Sequence, residues 1–203
     1  MSHSSHAFSQ FREHLSKRIA ISDEDFEIVC SYATIVHVKK KQLFLAAGDV
    51  CKHEAYIVKG VMREFMTDDK GHEHVVQLAF DDWWIADMMS FITGQPANYS
   101  IEALEDCEII LFDREKENEF LDRLPQFERF FKILIQNAFV ALQQRMISNM
   151  SHSAEQRYLN LIKKFPQLEL RVAQHHIASY LGITPEALSR IKRKLIEHDK
   201  NRT

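Results

Sequence analysis

Residues 34–113 read as a succession of short β-rich runs: TIVHV, QLFLAA, EAYIVKG, VMREFMT, HVVQLAF, YSIEAL and EIILFD. Turn signals separate them, notably Gly48-Asp49, Gly60 and the tetrapeptide Asp68-Asp69-Lys70-Gly71, which suits a hairpin loop. Many short strands at this spacing predict a β-sandwich or jelly roll. An amphipathic stretch precedes them, residues 8–19 and then 23–32.

After the strands the chain changes character. Residues 125–150 contain neither Gly nor an internal Pro. Phe127, Phe131, Leu134, Ala138, Leu142 and Met146 recur there at steps of three or four residues. This pattern predicts an amphipathic helix of roughly 37 to 39 Å at 1.5 Å per residue. A stripe of that length is long for one sandwich to cover: packing on its own domain is one role for these six residues, and pairing with a second copy of the helix is expected as well.

A boundary falls at Ser151-His152. Ser153-Ala154-Glu155-Gln156 has the form of a capping box, so a new helix is expected to start there and run to about Lys164, where Phe165-Pro166 stops it. Charge divides at the same place. Residues 151–203 hold ten Lys or Arg against five Asp or Glu, whereas residues 1–150 hold 16 against 24, within a total of -3. A cationic end on an acidic protein points to a polyanionic partner.

That end contains HHIASYLGITPEALSRIKRKL, two short helices joined at Gly182. Ile177, Ala178 and Leu181 give the first helix an apolar face, and Gly182 supplies a turn conformation that other residues resist. Thr184 is a good N-cap and Pro185 a good first helical residue. At 100° per residue Leu188, Ile191 and Leu195 share one inward stripe of the second helix, while Glu186, Arg190, Arg193 and Glu197 lie opposite. Such a helix suits a DNA major groove. Arg190 can bond guanine O6 and N7, Glu186 can accept from cytosine N4, and Ser189 can donate or accept. Lys192, Arg193 and Lys194 are expected nearer phosphates.

A β-rich domain, a long helix and a helix-turn-helix ending in IASYLGITPEALSRIKRKL closely resemble the Crp/Fnr family of bacterial transcription regulators, over residues 25–198. The resemblance implies an α+β chain: an N-terminal β jelly roll like a cyclic-nucleotide-binding domain, a long dimerisation helix and a small α-helical helix-turn-helix domain. It also implies a homodimer whose two recognition helices read a palindromic operator in double-stranded DNA. The family's recognition helix usually presents Arg-Glu-Thr-x-Ser/Gly-Arg; here Pro185-Glu186-Ala187-Leu188-Ser189-Arg190 keeps the Glu and the second Arg but replaces the first Arg with Pro185. The ending HDKNRT leaves no room for the β-hairpin wing of many members, so fewer phosphate contacts are expected.

Members that bind cyclic nucleotides carry a cassette resembling Gly-Glu and, about ten residues on, Arg-Ser/Thr-Ala. In WWIADMMSFITGQPANYSIEAL, Ala86-Asp87 takes the first place and Ala97-Asn98-Tyr99 the second. The Arg is absent, and residues 71–113 contain no Lys or Arg and nine Asp or Glu. A buried cyclic phosphate needs a fixed cation, so tight cyclic AMP binding is not expected. Asp87, Asn98 and Tyr99 could instead line a pocket for a neutral or cationic effector, or Trp83, Trp84 and Met88 could fill the cavity.

Other functions find less support in the residues. An iron–sulfur sensor resembling Fnr needs about four cysteines, three of them clustered, and Cys30, Cys51 and Cys107 are scattered; they read as buried small hydrophobes. His72 and His74 on one strand invite a comparison with cupin metalloenzymes. Leu78 and Ala79 stand where a cupin places its Glu, so the pair reads as exposed hairpin histidines. No cofactor, metal or enzymatic activity is expected. An interaction module using the helix-turn-helix on a protein partner is the alternative from another class. No apolar run approaches the roughly 20 residues that span a bilayer, and MSHSSHAFSQF has neither a basic start nor an apolar signal core, so a cytoplasmic protein without a membrane partner is expected. The expected division is a sensor domain at 1–124, a dimerisation helix at 125–150 and a DNA-binding domain at 151–203.

Overall fold

A computed structural model describes residues 2–200. Two helices, α1 (Ser2–Ser16) and α2 (Asp23–Tyr32), lead into eight strands: β1 (Ala33–Val38), β2 (Leu43–Leu45), β3 (His53–Lys59), β4 (Met62–Thr67), β5 (Glu73–Ala79), β6 (Trp83–Ile85), β7 (Ser100–Ala103) and β8 (Cys107–Asp113). A short helix, α3 (Met88–Thr93), lies between β6 and β7. The strands form two four-stranded sheets ordered β1-β8-β3-β6 and β2-β7-β4-β5, with every pairing antiparallel. This is the jelly roll the strand spacing predicts, within the α+β chain that the resemblance implies.

Strand β3 shows why its run EAYIV is apolar without alternation. Ala55 and Ile57 point into the sandwich with Met62, Ile101 and Ile109, while Tyr56 and Val58 point outward beneath α1 and the later helices. Both faces are covered, so both must be apolar. The turn into β4 demands Gly60. Its φ is +125° and a Cβ there would lie 2.9 Å from the Cys107 Cα, so both conformation and space exclude a side chain. Cys51 and Cys107 are buried and Cys30 half-buried; burial pushes the Cys107 thiol up to about 11, as suits inert core cysteines.

Helix α4 (Glu117–Arg123) precedes the long α5, Gln126–Ser151. Phe127 and Phe130 of α5 are buried with Phe11, Tyr56 and Phe112, and Phe131 and Leu134 pack on the same cluster. Phe127 therefore belongs to the core of its own domain and is not available to a second copy, a correction to the six-residue stripe. The first two turns of α5 lie over the outer face of the β3 sheet, which absorbs whatever apolar residues point at it. Beyond residue 134 the helix leaves that surface. Ile135, Phe139, Leu142, Met146 and Met150 are all exposed, Met150 to 82%, at spacings of four, three, four and four.

Four helices follow: α6 (Ala154–Lys164), α7 (Leu168–Arg171), α8 (Gln174–Tyr180) and α9 (Pro185–Lys200). The Ser153 hydroxyl accepts from the Gln156 N–H at 3.2 Å, which is the cap the sequence specifies. These helices share a third core with the outer face of the second sheet, joining Tyr158, Leu161, Leu168, Ile177 and Leu188 to Val61, Phe65, Val75 and Phe80. The sequence boundary at residue 151 is thus crossed by packing. The expected absence of a wing concerns the residues that end the chain, and 201–203 lie outside the described residues.

Candidate nucleic-acid interface

Helices α8 and α9 are held at a fixed angle by small local interactions. Gly182, at φ +67°, turns the chain between them, and the N–H groups of Gly182 and Ile183 donate to the Ser179 and Ala178 carbonyls at 3.0 Å. The Arg157 guanidinium donates to the Leu181 carbonyl at 3.0 Å. The Thr184 hydroxyl accepts from the Ala187 N–H at 3.2 Å, and Pro185 opens α9. Leu188 is fully buried, with Ile191 and Leu195 packed beside it.

The outward face carries Glu186, Arg190 and Arg193, all exposed. Glu186 is held below the usual carboxylate range by its own backbone N–H at the open helix start, then by the Thr184 hydroxyl and the Arg190 charge one turn on. Ser189 is half-buried, and its hydroxyl oxygen accepts from the Gln174 side-chain amide at 2.6 Å. Lys192 and Lys194 differ from expectation. Lys192 pairs with Glu169 of α7 at 2.5 Å and Lys194 with Glu155 of α6 at 2.7 Å. Both flank the buried stripe of α9, so their long stems reach back to neighbouring helices; Arg193, on the far side, forms no such pair among the described residues.

The helix pair is fastened to the jelly roll along β5, an edge strand. The Ser179 hydroxyl donates to the Glu73 carbonyl and accepts from the Val75 N–H, each at 2.9 Å. Arg145 of α5 donates to the carbonyls of Val75, Val76 and Tyr180. Unpaired strand groups are thereby satisfied, which blunts the edge. Arg63 on the outer face of β4 is buried between Glu73 and Glu102 at 2.5 and 2.7 Å and donates to His176 Nδ1 at 3.2 Å. Burial, with the Arg63 charge, lowers the His176 imidazole to about 4. Arg171 spans Asp81 and Glu105 beside a cavity of about 440 Å³ that also reaches α1. Nothing local in the sequence marks Gln174, Arg145 or Arg171, because each acts through a contact more than ten residues away in the chain.

Asp87, Asn98 and Tyr99 do come together. Asp87 is almost fully buried; its Oδ1 accepts from the Ser90 N–H at 2.9 Å, and its Oδ2 from the Asn98 and Tyr99 N–H groups at 3.0 and 3.3 Å. Asn98 itself is exposed. Facing Asp87 from β4 is Glu64, buried to all but 8% and pushed up to about 8 by burial and then by the Asp87 charge. Arg63, one residue before Glu64, points out of the sandwich by strand alternation, so it supplies no cation to this spot. The alternative filling is also different from expectation: Trp84 packs outside the sandwich beneath α1 and α5, and Met88 is 38% exposed, so of the three only Trp83 touches the inner core.

Residues 35–123 match the family model of the cyclic nucleotide-binding domain. Over 165 residues the chain is 23% identical to the transcriptional activator protein Anr of Pseudomonas aeruginosa, covering 76% of this chain and 67% of that one. FixK2 from Bradyrhizobium japonicum superposes with a TM-score of 0.73 at 16% identity, over 82% of this chain and 86% of that chain. A transcriptional regulator of the Crp/Fnr family from Eubacterium rectale does so with a TM-score of 0.69 at 17% identity, over 88% and 85%. The fold is the one these regulators share, and residues 35–123 are similar to a cyclic nucleotide-binding domain.

The Asp87 carboxylate takes the backbone N–H groups of Asn98 and Tyr99, the segment that the resemblance set in the place of Arg-Ser-Ala. Donors that could meet a ligand's anion are thus closed by an internal one. His72 and His74 both approach Asp68 on the β4–β5 hairpin, His74 at 2.9 Å, and among the described residues no group of three His, Cys, Asp or Glu is placed to hold a metal ion. Among the described residues no helix is long and apolar enough to cross a membrane.

Proposed function

We propose that the chain is of the Crp/Fnr type and regulates transcription as a homodimer that binds a palindromic double-stranded DNA site through α9. The observation that carries the reading is the outer face of α9: Glu186 and Arg190 stand one turn apart, exposed, on a helix whose opposite face is buried. Arg190 donates to guanine and Glu186 accepts from cytosine, while Thr184, Pro185 and Arg193 border the phosphates. Residues 1–124 serve as the sensor-like domain, 125–150 dimerise through the exposed half of α5, and 151–203 bind DNA. Lys192 and Lys194 contribute to phosphate binding only after leaving Glu169 and Glu155, which lowers the number of ready phosphate contacts.

The test is selection from a random duplex library with the purified protein and Arg190→Ala in parallel. A palindrome enriched by the wild type and lost with Arg190→Ala is expected; equal enrichment by both rejects the assignment of Arg190. The neutralised lysines favour one second reading, in which the helix pair contacts a protein instead. Salt-sensitive, sequence-selective DNA binding counts against it.

The sensor domain does not bind cyclic AMP tightly on this reading, because Asp87 holds the backbone donors and Arg63, the cation next to Glu64 on β4, points away from them. Calorimetric titration is expected to give no heat of binding at micromolar concentrations; a micromolar Kd overturns the claim. Asp87, Asn98 and Tyr99 remain the place for a neutral or cationic effector, and its physical task is to change how α5 and the hinge at residues 150–153 set the spacing of two α9 helices.

A further inference from the structure

The sequence treats Ser189 as a hydroxyl free to donate or accept, and the structure removes that freedom. The Gln174 amide nitrogen lies 2.6 Å from Ser189 Oγ and 3.3 Å from the Pro185 carbonyl oxygen. A carbonyl can only accept, so the nitrogen and not the oxygen of the amide faces this pair. Both amide hydrogens of Gln174 are then in use. Ser189 Oγ accepts one of them, and its own hydrogen has no acceptor among the described residues.

The pair therefore shows two groups to a partner: a hydroxyl donor from Ser189 and a carbonyl acceptor from Gln174. We propose that Gln174 and Ser189 together read the adenine of an A·T pair, with Gln174 as the specificity-determining partner of the recognition helix. The proposal rests on the reading of α9 as a major-groove helix. Adenine presents N7 as an acceptor beside N6–H as a donor, the complement of this arrangement. Guanine presents two acceptors and sets O6 against the Gln174 oxygen. Cytosine offers only a donor, and thymine an acceptor beside a methyl group. A phosphate is a poorer target, because it accepts only and the two donors of Gln174 are already taken within the protein.

Gln174 opens α8 and Ser189 lies one turn into α9, so the pair also bridges the two helices. The readout must separate base reading from a merely structural bridge. Duplex selection with the wild type, Gln174→Ala, Ser189→Ala and Gln174→Glu does so. The wild type is expected to enrich adenine at one position of each half-site. Gln174→Ala and Ser189→Ala are each expected to lose that preference about tenfold, at the same position, while the base read by Arg190 is kept. In Gln174→Glu the carboxylate has no hydrogen to give, so Ser189 donates to it, only acceptors face the groove, and the preference moves to cytosine.

A structural bridge alone predicts uniform weakening at every position with no change of base, and that result overturns the proposal. So does an adenine preference that survives Gln174→Ala, or a wild-type site with no adenine preference. If the wild type enriches no sequence at all, the underlying DNA reading falls with it, which distinguishes the two failures.

Discussion

At the scale of single residues, two carboxyl groups inside the jelly roll have opposite roles. Asp87 accepts three backbone N–H groups and ties α3 to the segment before β7. Glu64 has no hydrogen-bond partner among the described residues, and burial raises it from 4.5 to about 8. Its folded value is above its unfolded one, so the folded protein keeps a proton that the unfolded chain releases. Stability is therefore lost as pH rises from about 4.5 to about 8 and is level beyond. Glu64→Gln removes this dependence. Urea unfolding at several pH values is expected to show the variant gaining about 2–4 kcal/mol on the wild type between those limits; a difference independent of pH contradicts it. The missing cassette Arg was legible in the sequence because it is a matter of identity at a position. The role of Asp87 was not, because hydrogen bonds across eleven residues leave no local pattern. The same reason hid the pairing of Lys192 and Lys194, whose partners lie on other helices.

At the scale of elements, strands and caps were the most legible. Short β-rich runs broken by Gly60 and by Asp68-Asp69-Lys70-Gly71 define β3, β4 and β5 because backbone chemistry sets such turns locally. Strand β6 has only three residues and α7 only four, too few for any periodicity to register. The long helix was readable in extent but not in use. Its apolar residues serve two surfaces in succession, the jelly roll as far as Leu134 and an open face from Ile135 onward. Phe139, 58% exposed, lies in the middle of that open face. Phe139→Glu is expected to convert a dimer to a folded monomer, because two like charges would meet across a paired stripe while nothing in the protomer's own core is disturbed. Sedimentation with circular dichroism checks both halves of the statement. A variant that stays dimeric places the interface elsewhere.

At the scale of the whole molecule, the C-terminal helices are not a bead on a string. They complete the outer face of the second sheet and cap the edge of β5 through Ser179 and Arg145. Any change in the jelly roll that moves β5 therefore moves α8 and, through Gly182, α9. The sequence announced a boundary at residue 151 from charge and capping, and chain chemistry does change there, but long-range packing was outside its reach. On the proposed function, two α9 helices held by paired α5 helices read two half-sites at once. The most direct test is to measure affinity for the selected palindrome as its half-site spacing is varied in single base pairs. Two helices fixed in one dimer predict a maximum with the half-site centres about one turn, roughly 10 base pairs, apart, and a steep loss when half a turn is inserted. Affinity unchanged by spacing would contradict the account.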